Sequence, residues 1–129
     1  MRFLTQGMLV LVMLVVTASF SSMVIADTSI SKQFDVPFKH ALGKKKFSAR
    51  CSACHGEWGM GTKQGPPLMH RFYKPSHHAD GAFYRAALKG VRAHHWKFGD
   101  MPRVPGIDTK ELDLIIPFIR WLQRENGIH

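Results

Sequence analysis

Cys51-Ser52-Ala53-Cys54-His55 contains the only two cysteines of the chain, and its reading governs everything around it. A disulfide between Cys51 and Cys54 would close a very short loop and remove little entropy from the unfolded chain, so the pair reads as a reactive or attachment site, not a staple. The histidine that follows completes C-x-x-C-H, the c-type haem attachment pattern. In that chemistry two thiols form thioethers with the porphyrin vinyl groups and the adjacent imidazole ligates iron. One turn of chain between the cysteines lets both sulfurs meet one edge of the ring while the histidine approaches the metal from one face. Thiol oxidoreductases also use C-x-x-C, but they need α/β surroundings. No stretch here alternates β-branched residues with period two; the apolar positions fall on helical spacings.

Working outward, His40 to Arg50 reads as a short basic helix leading into the cysteines, with Leu42, Phe47 and Ala49 among cations. Gly43 costs such a helix about 1 kcal/mol relative to alanine, which implies that another backbone packs closely there. After His55 the segment GEWGMGTKQGPPL, with four glycines and two prolines, forms a tight loop able to wrap a flat ligand. Asp80 is placed to cap a helix running through Phe83, Ala86, Ala87 and Leu88 to a stop at Gly90. An irregular stretch follows, in which Pro102 and Pro105 constrain the chain around Met101. In the last helix, Asp108 and Glu111 suggest a capping box, and Leu112, Ile115, Ile116, Ile119 and Leu122 repeat at helical intervals to about Glu125. Asn126-Gly127 ends it, and Pro117 should bend it at the cost of one hydrogen bond.

The chain has 129 residues and net charge +9, enough for one small domain and too little for a large enzyme. Gly7 to Val16 is an apolar run preceded by Arg2 and followed by Thr17 to Ser22, and Val24-Ile25-Ala26 supplies small residues for cleavage. That is the layout of a secretory signal peptide over residues 1–26, with a mature start at Asp27. The run is about half the roughly 20 residues needed to span a bilayer, so no stable membrane insertion is expected after cleavage. Residues 27–39 read as an extended arm. Export makes nucleic acid an unsuitable partner for the basic domain and favours acidic redox proteins: an oxidase, a reductase, or a dehydrogenase of which the chain would be the electron-accepting subunit. Lys44-Lys45-Lys46 is the densest basic run available to steer them.

Iron held by one histidine leaves a second axial position, and Met101 is a candidate, with Met60 and Met69 as competitors. The arrangement as a whole resembles a class I c-type cytochrome of the small, monohaem, bacterial periplasmic type. Gly43 and Phe47 match that family's first helix, Gly65-Pro66-Pro67-Leu68 its proximal loop, Met101-Pro102 its distal ligand motif, and Phe118 and Trp121 its final helix. The resemblance implies an all-α fold of about three to four helices around one covalently attached haem c, formed by residues 40–129. It implies thioethers at Cys51 and Cys54, iron ligation by His55 and Met101, a hydrogen bond from His55 Nδ1 to the Pro66 carbonyl, and packing of Leu68 on the ring. It also implies that the first and last helices cross at Gly43.

His77-His78 and His94-His95 are not part of that pattern. Adjacent residues on a helix point about 100° apart, so each pair alone is a poor two-ligand site. With His70, residues of both pairs could converge on low-affinity copper or zinc; otherwise they are solvated or pair with haem carboxylates. Trp96, and less so Trp58, can donate an indole N–H to those carboxylates. The function read from all this is single-electron shuttling between protein partners. A haem protein with an open or labile sixth position, acting as gas sensor or small peroxidase, is the alternative from another class. A periplasmic copper-handling protein without haem is the third.

Overall fold

The computed structural model describes residues 34–129. The expected signal segment 1–26 and the start of the arm, residues 27–33, lie outside the described residues. Four helices follow one another: α1, Phe38–Arg50; α2, Ser52–His55; α3, Asp80–Lys89; and α4, Thr109–Glu125, with a 3-10 turn at Arg71–Tyr73 between α2 and α3. Among the described residues no strand forms. A single antiparallel bridge joins Val91 to Met101.

Helix α1 begins two residues before its expected start because Pro37, with φ −54°, accepts from His40 N at 2.8 Å and opens the first turn. The end of the arm is accordingly part of the packed structure. Phe34 and Val36 lie against the core, and the Phe34 ring meets Trp58 at 5.5 Å and Trp121 at 6.1 Å.

The core is made by α4 lying on α1. Leu112, Ile115, Ile116, Ile119 and Leu122 are all buried, as their spacing requires, together with Phe118 and Trp121. Phe47 of α1 packs on Phe118 with ring centroids 5.5 Å apart. The helices touch at Gly43, where an added Cβ would lie 2.2 Å from the Leu114 carbonyl oxygen and 3.0 Å from Phe118 Cβ. The glycine that weakens α1 locally is thus what lets the two backbones meet.

Asp108 caps α4, its carboxylate accepting from Glu111 N at 2.8 Å. The reciprocal half of the box is absent: Glu111 turns across to α1, accepting from Lys46 Nζ at 2.6 Å and Arg50 Nε at 3.0 Å. Two cations outcompete one backbone N–H, and they hold the Glu111 carboxyl below its ordinary range, Lys46 contributing most. A depressed carboxyl contributes stability that is complete above the unfolded carboxylate range and lost as pH falls through the folded value. Glu111→Gln should therefore lower the thermal midpoint at pH 7 and converge on wild type in acid. Melting curves across pH 3–7 check this, and a gap independent of pH would refute it.

Helix α4 continues unbroken through Pro117, which is exposed, so the Asp113 carbonyl deprived of its N–H partner faces water. Asp80 does not cap α3. It is the first helical residue, the N-cap is Ala79 without a side-chain bond, and the Asp80 carboxylate accepts from Arg120 Nε at 2.7 Å. Arg120 is buried on α4 and also donates to the carbonyls of Tyr73 at 2.8 Å and His78 at 2.5 Å and to Gln123 Oε1 at 2.7 Å. Gln123 in turn donates to the carbonyls of Leu68 and Tyr73, both at 3.1 Å. This polar net ties the irregular segment 68–80 to α4.

Candidate functional site

The attachment motif is one helical turn continuing α1 after a break at Cys51. Cys51 N donates to Phe47 O at 2.8 Å and His55 N to Cys51 O at 2.9 Å, and Gly56, at φ +78°, turns the chain away. The glycine-rich loop then folds back. Gly61 N donates to His55 O at 2.7 Å, Thr62 Oγ1 to Cys54 O at 2.7 Å, and Leu68 N to Gly59 O at 2.7 Å. Gly65 passes so close to the motif that a Cβ would lie 2.9 Å from the Cys54 carbonyl oxygen.

That return places the Pro66 carbonyl 2.8 Å from His55 Nδ1. With Nδ1–H donating to a carbonyl, the lone pair of the ring lies on Nε2, and the imidazole is held in one tautomer. Burial lowers the His55 pKa, which the Pro66 bond offsets in part, so the ring is neutral and able to ligate. The cysteines are not joined. Burial pushes the Cys51 thiol up to about 11, the reverse of a thiol-exchange enzyme, whose attacking cysteine is exposed and acidic.

A cavity of about 530 Å³ opens beside the motif, within the range of small-molecule and cofactor sites. Cys51, Cys54, His55, Pro66 and Leu68 line one side; Phe83, Ala86 and Ala87 of α3 and Leu112, Ile116 and Ile119 of α4 contribute to its walls. Val91, Trp96, Met101 and Val104 contribute from the irregular segment between the last two helices. Met101 is held by its backbone, Val91 N donating to Met101 O and Met101 N to Val91 O, each at 2.9 Å. Gly90 backs this bridge, at φ +81° with room for no Cβ, which would meet the Met101 carbonyl oxygen at 2.7 Å. Met60 is exposed, Met69 packs under Gly59, and neither lines the cavity.

Cys51, Cys54, His55, Pro66, Leu68, Trp96 and Met101 all line this one cavity. Trp58 does not; it lies under Phe34 and the Lys44 ammonium. Tyr73, absent from the sequence reading, also lines the cavity, and burial raises its hydroxyl pKa, an effect the neighbouring Trp96 indole partly offsets. Trp96 Nε1 and His95 Nε2 are buried without a well-formed hydrogen bond. Apolar walls, two free thiols at one edge, a histidine with its tautomer held and buried polar atoms awaiting partners together fit haem, a flat apolar ring with two carboxylates at its rim.

The histidine pairs lie in irregular chain, not on helices, so they are free of the 100° divergence. His77, His78 and His95 offer ring nitrogens all within 4.8 Å of one another, and the His94 ring stacks against His78 at 5.8 Å. Burial lowers the pKa of His78 and His95, reinforced by neighbouring imidazoles. His70 stands apart in role: its Nδ1 accepts from Phe72 N at 3.3 Å and caps the 3-10 turn, while its ring packs on Phe72 and Trp96.

Lys44 is paired with Glu57, and Lys46 shares Glu111 with Arg50, which reduces the positive field of the lysine run without cancelling it. Arg85 and Lys89, both exposed, are the basic residues at the cavity itself. No helix among the described residues is long and apolar enough to cross a membrane.

A family model described as Cytochrome c matches residues 40–123, which runs from the first turn of α1 to the last turn of α4. Comparison with curated proteins and with solved structures gave no match. Motif, cavity and family model coincide on the same residues, and the chain belongs to the cytochrome c family, small all-α proteins that carry electrons on a covalently bound haem c.

Proposed function

We propose that the chain is an exported single-electron shuttle between protein partners, with haem attached through Cys51 and Cys54 and iron ligated by His55 and Met101. The observation that carries this reading is the single cavity lined by His55 and by Met101, each positioned by backbone bonds rather than by a mobile side chain. The haem supplies one-electron chemistry at iron. His55 supplies a neutral imidazole made more basic by its bond to the Pro66 carbonyl. Met101 supplies a thioether, which favours Fe(II) relative to a harder donor and raises the potential. The apolar walls from α3 and α4 keep water from the site and disfavour the extra positive charge of Fe(III).

The test is one sample of haem-loaded protein observed oxidised, reduced with dithionite, and reduced with carbon monoxide added. Low-spin bands, a weak near-infrared sulfur-to-iron band in the oxidised form and no response to carbon monoxide are expected. High-spin or carbon monoxide-sensitive bands would replace the reading with ligand sensing or peroxide chemistry.

Export follows from the segment Gly7–Val16 with cleavage after Ala26. Periplasmic location is tested by the N-terminal mass of protein recovered from that compartment, expected to begin at Asp27. Acidic partners follow from the net charge, with the steering cations at the cavity mouth in place of the paired lysines. Reversing charge at Arg85 and Lys89 should slow electron transfer to a small acidic redox protein by roughly tenfold at low ionic strength, the difference closing as salt is raised. Lys44→Gln with Glu57→Gln, which removes a charge pair and leaves the net charge unchanged, should change the rate little. Stopped-flow rates over a salt series decide it, and equal sensitivity of the two variants would refute the assignment.

A further inference from the structure

We propose that His77, His78 and His95, with His94 beside them, form a binding site for a borderline divalent transition-metal ion at the rim of the haem cavity, with Cu²⁺ the tightest ligand and Zn²⁺ and Ni²⁺ following. Segments far apart in sequence bring the imidazoles together. His77 and His78 end the turn that follows Arg71–Tyr73, and His94 and His95 lie in the loop closed by the Val91–Met101 bridge. Ring centroids are 4.7 Å apart for His77 and His78, 5.1 Å for His77 and His95, 5.2 Å for His78 and His95, and 4.3 Å for His94 and His95. One ring nitrogen from each of His77, His78 and His95 lies within 4.8 Å of the other two. Nitrogens bound tetrahedrally at about 2.0–2.1 Å from a metal sit roughly 3.4 Å apart, a contraction that side-chain rotation can provide.

The surroundings are those of a ligand set. His77 Nδ1 and His78 Nδ1 lie 2.9 and 2.5 Å from the Phe72 carbonyl oxygen and 2.9 Å from each other, and His94 Nδ1 lies 2.8 Å from the Arg92 carbonyl oxygen. A ring N–H donated to a backbone carbonyl holds a metal-binding histidine in the tautomer that leaves Nε2 free. His95 Nε2 is buried with no hydrogen-bond partner, and its ring is stacked on Phe72 at 4.5 Å. Arg120 Nη2 holds the His78 carbonyl from below at 2.5 Å, so the ligands sit on chain tied to α4.

The donor set selects the ion. Three imidazoles without a thiolate or carboxylate exclude Ca²⁺ and Mg²⁺, which require oxygen, and give Cu(I) none of its preferred sulfur. Imidazole suits copper, zinc and nickel, and among their divalent ions Cu²⁺ binds tightest. His77 is exposed, so the ion keeps a face open to water. Because His78, His94 and His95 also line the cavity, a bound dication places positive charge at the haem rim, which favours Fe(II) and raises the reduction potential.

The experiment uses the full haem-loaded protein. Calorimetric titration with Zn²⁺, which is redox-silent, is expected to show one ion per chain, with affinity reduced at least 100-fold in the triple variant His77→Ala, His78→Ala, His95→Ala. His77→Gln and His95→Gln, tested singly, keep the measurement decisive if the triple variant loses its haem spectrum; each is expected to weaken binding by tenfold or more. On the unaltered protein, the electron paramagnetic resonance spectrum of one equivalent of Cu²⁺ is expected to show coupling to three or more nitrogens, and the haem midpoint is expected to move positive on adding Zn²⁺. Absence of saturable binding, unchanged binding in the single and triple variants, or fewer than three coupled nitrogens would overturn the site. A midpoint that shifts with His95→Gln but not with Zn²⁺ would also overturn it, assigning His95 to the haem carboxylates instead.

Discussion

Gly43→Ala should lower stability by about 3 kcal/mol, at the upper end of the overpacking range. The single added carbon would lie 2.2 Å from a backbone oxygen of α4 and 3.0 Å from the Cβ of Phe118, neither of which is the end of a flexible side chain. Relief requires α1 and α4 to separate, and that separation opens the contact between Phe47 and Phe118, both fully buried. Alanine's better helix propensity returns only about 1 kcal/mol. In a domain of this size the loss corresponds to a drop of roughly 12–24 °C in thermal midpoint. Circular dichroism melts of the haem-loaded wild type and variant test it; a difference of two or three degrees would mean that the helices are not in contact at this residue. Gly43→Val should be worse still.

Met101→Ala should make the reduced protein bind carbon monoxide stoichiometrically, where the proposed ligation by His55 and Met101 requires no binding in the unaltered protein. The other methionines of the described residues, Met60 and Met69, do not line the cavity, so no second thioether stands ready. The backbone at this position is secured by both hydrogen bonds to Val91, so the variant should keep its fold and lose only the sulfur. Loss of the thioether should also lower the reduction potential, since a methionine–histidine pair favours the ferrous state. Difference spectra after carbon monoxide addition give the first readout and a redox titration the second. A carbon monoxide-insensitive, low-spin variant would show that another group, His78, His94 or His95 at the cavity edge, fills the axial position.

The parts of the fold legible from sequence were those whose causes are local. The spacing of Leu112, Ile115, Ile116, Ile119 and Leu122 defines a face, Asp108 begins its helix, and Gly90 ends α3 at positive φ. Gly43 was legible for a different reason: a residue that weakens its own helix signals a neighbour. Of the seven cavity residues, Cys51, Cys54 and His55 are read from the attachment motif, Pro66, Leu68 and Met101 from the resemblance to class I c-type cytochromes, and Trp96 from its indole donor. What escaped depends on partners far along the chain. Asp80 has the side chain of a cap, but Arg120 claims it from α4. Lys44 and Lys46 look like free charge until Glu57 and Glu111 are brought beside them. Arg120 and Gln123 stand four and seven residues beyond Ile116, on its buried face, so helical register does place them inside; residue type argues the opposite, and only the loop carbonyls of Leu68, Tyr73 and His78 explain their burial.

The hydrogen-bonded bridge between Val91 and Met101 acts as a clasp at the neck of the loop 92–100. The clasp fixes the backbone at Met101, while His94, His95 and Trp96 reach back from the loop to the cavity wall. Arg92 and Lys97, exposed and outside that wall, can therefore be exchanged by evolution or by an engineer while the methionine at the base of the loop keeps its place. A cytochrome built this way can change its surface charge beside the cavity with Met101 still clasped in position, and a library confined to residues 92 and 97 would sample that freedom directly.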